Sequence, residues 1–102
     1  MKRYQVKVSI AADSDLRQLQ MFLHSVLSER GAFRYVITMM SEIRSLALYA
    51  DLFHTSRYAD IRAIHPQARR MVSHNKRWAY IFHIEGDLVV VDRILPAKMI
   101  RK

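Results

Sequence analysis

Five histidines and seventeen basic residues, twelve of them arginine, are the groups in this sequence that could do chemistry. A histidine titrates near ambient pH and can give or take a proton. The planar arginine fork matches phosphate and carboxylate oxygens. Cleavage of RNA through attack of a ribose 2′-hydroxyl needs a general base, a general acid and a cation for the developing charge. His83 or His74 with Arg69 and Arg93 could supply that set. The plainer reading leaves each histidine as a surface or edge residue with no chemical role. The nearest histidines are nine positions apart and no pair has the i,i+4 spacing of a helical ligand pair, so a metal is set aside. Cysteine is absent, which removes disulfides, thiolate metal sites and a thiol nucleophile. No motif asks for a cofactor.

The arginines suit binding as well as catalysis. Arg69, Arg70, Arg77 and Arg93 gather on the candidate strands, and Lys98, Arg101 and Lys102 follow them. Neighbours in a strand point to opposite faces, so Arg69 and Arg70 cannot share one. Together these residues could form an anion-binding face for phosphate or for acidic side chains. They could equally be a solvated sheet surface with cross-strand pairs, such as Asp92 with an arginine. The formal net charge of +8 points the same way, to nucleic acid or to an acidic protein.

These side chains must be held by a frame, and the hydropathy pattern outlines one. Tyr4, Val6, Val8 and Ile10 alternate with polar residues, as in a half-buried strand. Asp13 or Ser14 can cap a helix with apolar positions Leu16, Leu19, Phe22, Leu23, Val26 and Leu27, stopped at Arg30-Gly31. A second helix is expected from about Ala32 to Ala50, burying Phe33, Val36, Ile37, Met40, Ile43 and Ala47. Its further apolar residues exceed one stripe, which fits either a buried helix or one that pairs with another chain. Residues 51–66 read as a connection with a helical turn near Tyr58–Arg62. Ala68–Ser73, Trp78–Ile84 and Leu88–Leu95 read as strands, the last two joined by a turn at Glu85-Gly86-Asp87 and the last ended by Pro96. Trp78 could stack on a base, or pack with its indole N–H bonded inside the fold. The expectation is one α+β domain over residues 1–102, β-α-α-β-β-β, a helical hairpin on a small antiparallel sheet. No apolar run approaches the length of a membrane span, and a reducing cytoplasm suits the missing cysteines.

Three stretches, in this order, resemble the RelE/ParE superfamily of bacterial toxins. They are Tyr4-Gln5-Val6-Lys7-Val8-Ser9 with Ala12 and Asp15-Leu16, then Arg69-Arg70-Met71-Val72-Ser73-His74, then Tyr80 to Asp87 with Val89-Val90-Val91-Asp92-Arg93-Ile94-Leu95. The resemblance implies the toxin of a type II toxin–antitoxin module, neutralised by an acidic antitoxin. RelE-like members cut messenger RNA on the ribosome; ParE-like members poison DNA gyrase. RelE-like chains add a tyrosine or histidine near the C-terminus, and this chain has neither after His83. That favours the ParE branch, although Pro96 stands where such chains often carry histidine. On this reading Arg69, Arg70, Arg77, Arg93, Lys98, Arg101 and Lys102 meet the target or the antitoxin. A ribosome-dependent endonuclease is the rival, and a degenerate antitoxin-binding partner a third. The chain could act alone, as a homodimer, or in a hetero-oligomer with its antitoxin.

Overall fold

The computed structural model describes residues 2–99, so Arg101 and Lys102 lie outside the described residues. In chain order it contains β1 (Gln5–Val8), α1 (Ile10–Val26), α2 (Glu29–Tyr49), a 3-10 turn at Ala50–Leu52, α3 (Ala59–Arg62), β2 (Arg69–Val72), β3 (Trp78–Glu85), β4 (Leu88–Pro96) and a 3-10 turn at Ala97–Met99. This is the expected α+β order, with α3 at the expected helical turn.

The four strands form one sheet in the order β1-β4-β3-β2. Strands β2, β3 and β4 are antiparallel, joined by short turns. Gly86 has φ 58°, the left-handed backbone that a two-residue hairpin accepts most readily from glycine. The expectation of a purely antiparallel sheet needs one correction. β1 lies parallel to β4, from Gln5 opposite Leu88 to Val8 opposite Val91. A two-residue turn forces its strands antiparallel, whereas β1 enters the sheet through two long helices, so its direction is free of that constraint.

Where β1 stops, α1 takes over the edge of β4. The Ser9 N–H donates to the Val91 carbonyl at 3.0 Å. Its hydroxyl donates to the Asp92 carbonyl at 2.9 Å, and the Ile94 N–H donates to Asp15 at 2.9 Å. The Ser9 hydroxyl also accepts from Ala12 N and so caps α1, which therefore begins before Asp13 and Ser14 rather than at them. Ile10 consequently leaves the strand face and is exposed. Ser28 caps α2 in the same manner by accepting from Gly31 N, so Gly31 belongs to the first turn of α2 and is not a helix stop. The chain reverses instead through Leu27 and Ser28, both in extended backbone that needs no glycine.

The buried stripe of α2 is Ala32, Val36, Met39, Ile43 and Leu46, rotated from the expected one; Phe33, Ile37 and Met40 face outward. On α1, Leu19 and Leu23 are buried while Phe22, Val26 and Leu27 are exposed. The helices pack on one sheet face against Tyr80, Phe82, Val89 and Val91. The opposite face carries a second core, in which Ile61 and Ala68 of the connection cover Ala79 and Ile81. β3 is thereby buried on both faces, which is why its sequence is almost continuously apolar.

Candidate functional site

The four arginines of the proposed anion-binding face occupy separate environments. Arg69 and Arg70 do point to opposite faces, being paired with Phe82 and Ile81 respectively. Arg69 lies on the helix side, where its Nη1 donates to the Phe53 carbonyl at 2.8 Å while its buried Nε has no hydrogen-bond partner. Arg70 lies on the other side with its guanidinium over the Tyr58 ring, 5.1 Å from the centroid. With His54 and Arg57 it lines a hollow of about 330 Å³. Arg93 is tied to α1: Nε and Nη2 donate to the two oxygens of Asp15 at 2.8 and 3.0 Å. That fork ties β4 to α1, and the Asp15 carboxylate raises the Arg93 pKa further.

Arg77 and Lys98, in contrast, belong together. The β2–β3 turn places Lys76 in left-handed backbone with φ 64°, and the Ala97 N–H donates to the Arg77 carbonyl at 2.9 Å. Lys76, Arg77 and Lys98 surround Trp78 and Pro96 at a hollow of about 430 Å³. Trp78 is half-buried and its indole N–H donates to the Tyr35 hydroxyl at 2.8 Å, so it packs inside the fold. The same hydroxyl accepts from Asn75 at 2.9 Å. Glu42, two helical turns along α2, accepts from the Tyr80 hydroxyl at 2.7 Å and from the His74 N–H at 2.6 Å. Burial, then the Glu42 contact, push the Tyr80 phenol well above its usual range. Tyr35 and Glu42 thus fix the turn that presents the cations. Trp78 and Pro96 also border a second groove, of about 360 Å³, which runs past Ile94 and Leu95 to Leu19, Phe22 and Met99.

His74 is exposed on the β2–β3 turn. His83 is buried on the outer sheet face, with Nδ1 2.6 Å from Asp92 and Nε2 2.9 Å from Glu85. Both partners are carboxylates, so both ring nitrogens donate. Burial works against the charged ring, but the Asp92 and then the Glu85 hydrogen bonds outweigh it and raise its pKa. His65 stacks on this ring with centroids 3.7 Å apart and planes within 4°. His83, His74, Arg69 and Arg93 each have different immediate partners, and Arg69, opposite Phe82, lies on the helix side of the sheet while His83 lies on the other. Sequence spacing missed the gathering of His65, His83, Glu85 and Asp92, because α3 and a β-bulge near Phe82 bring them together. The one local signal is the His83–Glu85 alternation, which sets both on one strand face.

No protein-family model matches the sequence, and no curated protein matches it. Among solved structures the chain is similar to one from the chromosomal ParDE toxin–antitoxin system of P. aeruginosa. The two share 16% sequence identity and a TM-score of 0.77, over 92% of this chain and 96% of that one. A likeness at this identity is one of fold, and it supports the RelE/ParE-like architecture that the three sequence stretches imply.

Proposed function

We propose that this chain is the toxin component of a type II toxin–antitoxin module, held in check by an acidic antitoxin. We further infer a ParE-like target: the free chain binds DNA gyrase and so blocks replication, without catalysis of its own. The observation that carries this reading is the fold, shared almost end to end with a chain from a ParDE system. The surface agrees with it. The groove from Phe22 and Met99 along Ile94 and Leu95 is mostly apolar, with Asp15, Gln18 and Arg93 also on its wall, and it opens at Trp78 and Pro96 onto Lys76, Arg77 and Lys98. An amphipathic acidic segment fits such a groove through its apolar side and its charge.

The endonuclease reading, with ribosome and messenger RNA as partners, needs its acid, base and cation to converge on one phosphate. Arg93 is held by Asp15, Arg69 by Phe53, His83 by Asp92 and Glu85, and the His74 backbone by Glu42.

The test is induced expression in a bacterial host with and without the reading frame that neighbours this gene, followed by a gyrase supercoiling assay on the purified chain. Growth arrest relieved by the neighbour, together with inhibited supercoiling or trapped cleaved DNA, is the expected result. Active gyrase combined with A-site cuts in a translation extract would overturn the gyrase target. Antitoxin binding without any growth arrest would leave the degenerate partner as the reading.

A further inference from the structure

We propose that His65, His83 and Glu85 form a binding site for a divalent zinc-type cation, with Asp92 orienting His83. The site is independent of the gyrase reading and of the basic groove. Its basis is convergence from two parts of the chain. His65 comes from the loop after α3, and His83 and Glu85 come from β3. One candidate ligand atom from each lies within 4.8 Å of the others. Two imidazoles and a carboxylate are a donor set that zinc accepts, with water left for a fourth position. Sequence spacing set a metal aside because it looked only for ligands on one helix.

The surroundings have the form that metal-binding histidines commonly show. Asp92 lies 2.6 Å from His83 Nδ1 and holds that N–H, so Nε2 is the atom that gives up its proton to solvent and faces an ion. Glu85 stands 2.9 Å from that same Nε2, on the side of the ring that Asp92 leaves open. His83 is buried, His65 half-buried and Glu85 exposed, so the ligand set runs from the interior to solvent. The Nδ1 of His65 accepts from the Gln67 N–H at 3.0 Å, and offering Nε2 releases that N–H to water beside an exposed residue. A nitrogen binds a metal in the plane of its ring, so the parallel stack must open as the ion enters. That movement falls to His65 in its loop, because β3 and Asp92 hold His83. The ion would then fasten the 51–68 connection to the outer sheet face, beside the Ile61–Ile81 contact, and binding to the folded chain alone stabilises it.

The experiment is calorimetric titration of the chelator-treated full chain with zinc chloride, alongside thermal melts with zinc and with magnesium. One zinc ion per chain and a zinc-dependent rise in Tm are expected, with no rise from magnesium. His65→Ala and Glu85→Gln are each expected to weaken zinc binding at least about tenfold, and Asp92→Asn by about 10–100-fold. His24→Ala, at an exposed position on α1, is expected to leave it unchanged. Circular dichroism of the His65→Ala chain without zinc checks that the fold survives; His83 is avoided because it is buried. Absence of one-to-one binding overturns the site. So does undiminished binding by a folded His65→Ala, Glu85→Gln double variant, or an equal loss on His24→Ala.

Discussion

Arg93 directs its guanidinium onto α1, where both oxygens of Asp15 receive it and the Ile94 N–H shares the same carboxylate. Its side chain is 40% exposed and that of Asp15 only 14%, so the pair is partly screened on one side. Arg93→Ala should cost about 1–2 kcal/mol, allowing for that screening. For a domain of this size that is a fall of about 4–16 °C in Tm. An unchanged urea midpoint would show that the fork contributes nothing. Arg69 and Arg70 separate in the same manner. Arg69→Ala loses the bond to the Phe53 carbonyl and should destabilise by about 1 kcal/mol. Arg70 is half-buried and loses only its contact with the Tyr58 ring, so Arg70→Ala should cost about 0.5–1 kcal/mol. Arg70→Ala is therefore the clean probe of toxicity. If it arrests growth as the parent does at equal soluble level, Arg70 takes no part in target binding. Charge type was legible in the sequence at these positions; the direction of each arginine was not, because partners such as Asp15 lie 78 positions away in the chain.

The existence and order of the helices and strands followed from periodicity alone, and the β3–β4 turn from its glycine. What periodicity could not settle was which serine or aspartate starts a helix. Asp13, Ser14 and Ser9 are all competent caps. Ser9 wins because its hydroxyl also satisfies the Asp92 carbonyl on the β4 edge that β1 leaves open. Ser9→Ala should thus cost about 1–2 kcal/mol, at the upper end for a cap. Ser14→Ala should be nearly silent, since its hydroxyl only meets Gln18 at 3.5 Å on the surface. Equal effects at the two serines in urea titrations would place the cap wrongly. At the hairpin, a Cβ added to Gly86 meets no atom within 4 Å, so any cost of Gly86→Ala comes from φ 58° alone. It should be about 1 kcal/mol, and Gly86→Asn should recover part of it. The α2 stripe was misread for a related reason. That helix carries two apolar rows, and only the position of the sheet decides which one is inside.

The second apolar row is what the molecule presents to others. Phe33, Ile37 and Met40 recur at i, i+4 and i+7 along α2 and remain 65%, 48% and 36% exposed. Phe22, Val26 and Leu27 of α1 add further uncovered apolar surface. An exposed apolar row of this kind usually marks an interaction surface. The Arg93–Asp15 pair cancels, so the net charge of +8 rests on other cations, among them the outward cluster of Lys76, Arg77 and Lys98. An antitoxin that is both acidic and amphipathic would meet these two features differently. Replacing Phe33 and Ile37 together with glutamine should leave stability within about 1 kcal/mol, because neither side chain is in the core. On the proposed toxin reading, an antitoxin seated in the Phe22–Leu95 groove extends over this row, so the change should weaken its affinity by about 10–100-fold, mainly through faster dissociation. Replacing Lys76, Arg77 and Lys98 with alanine should instead slow association and flatten its dependence on salt. Titration of both variants against the antitoxin of the proposed module at low and high salt separates the contributions. If the folded Phe33/Ile37 variant binds as tightly as the parent, the antitoxin is confined to the Phe22–Leu95 groove, where the three cations sit at one end.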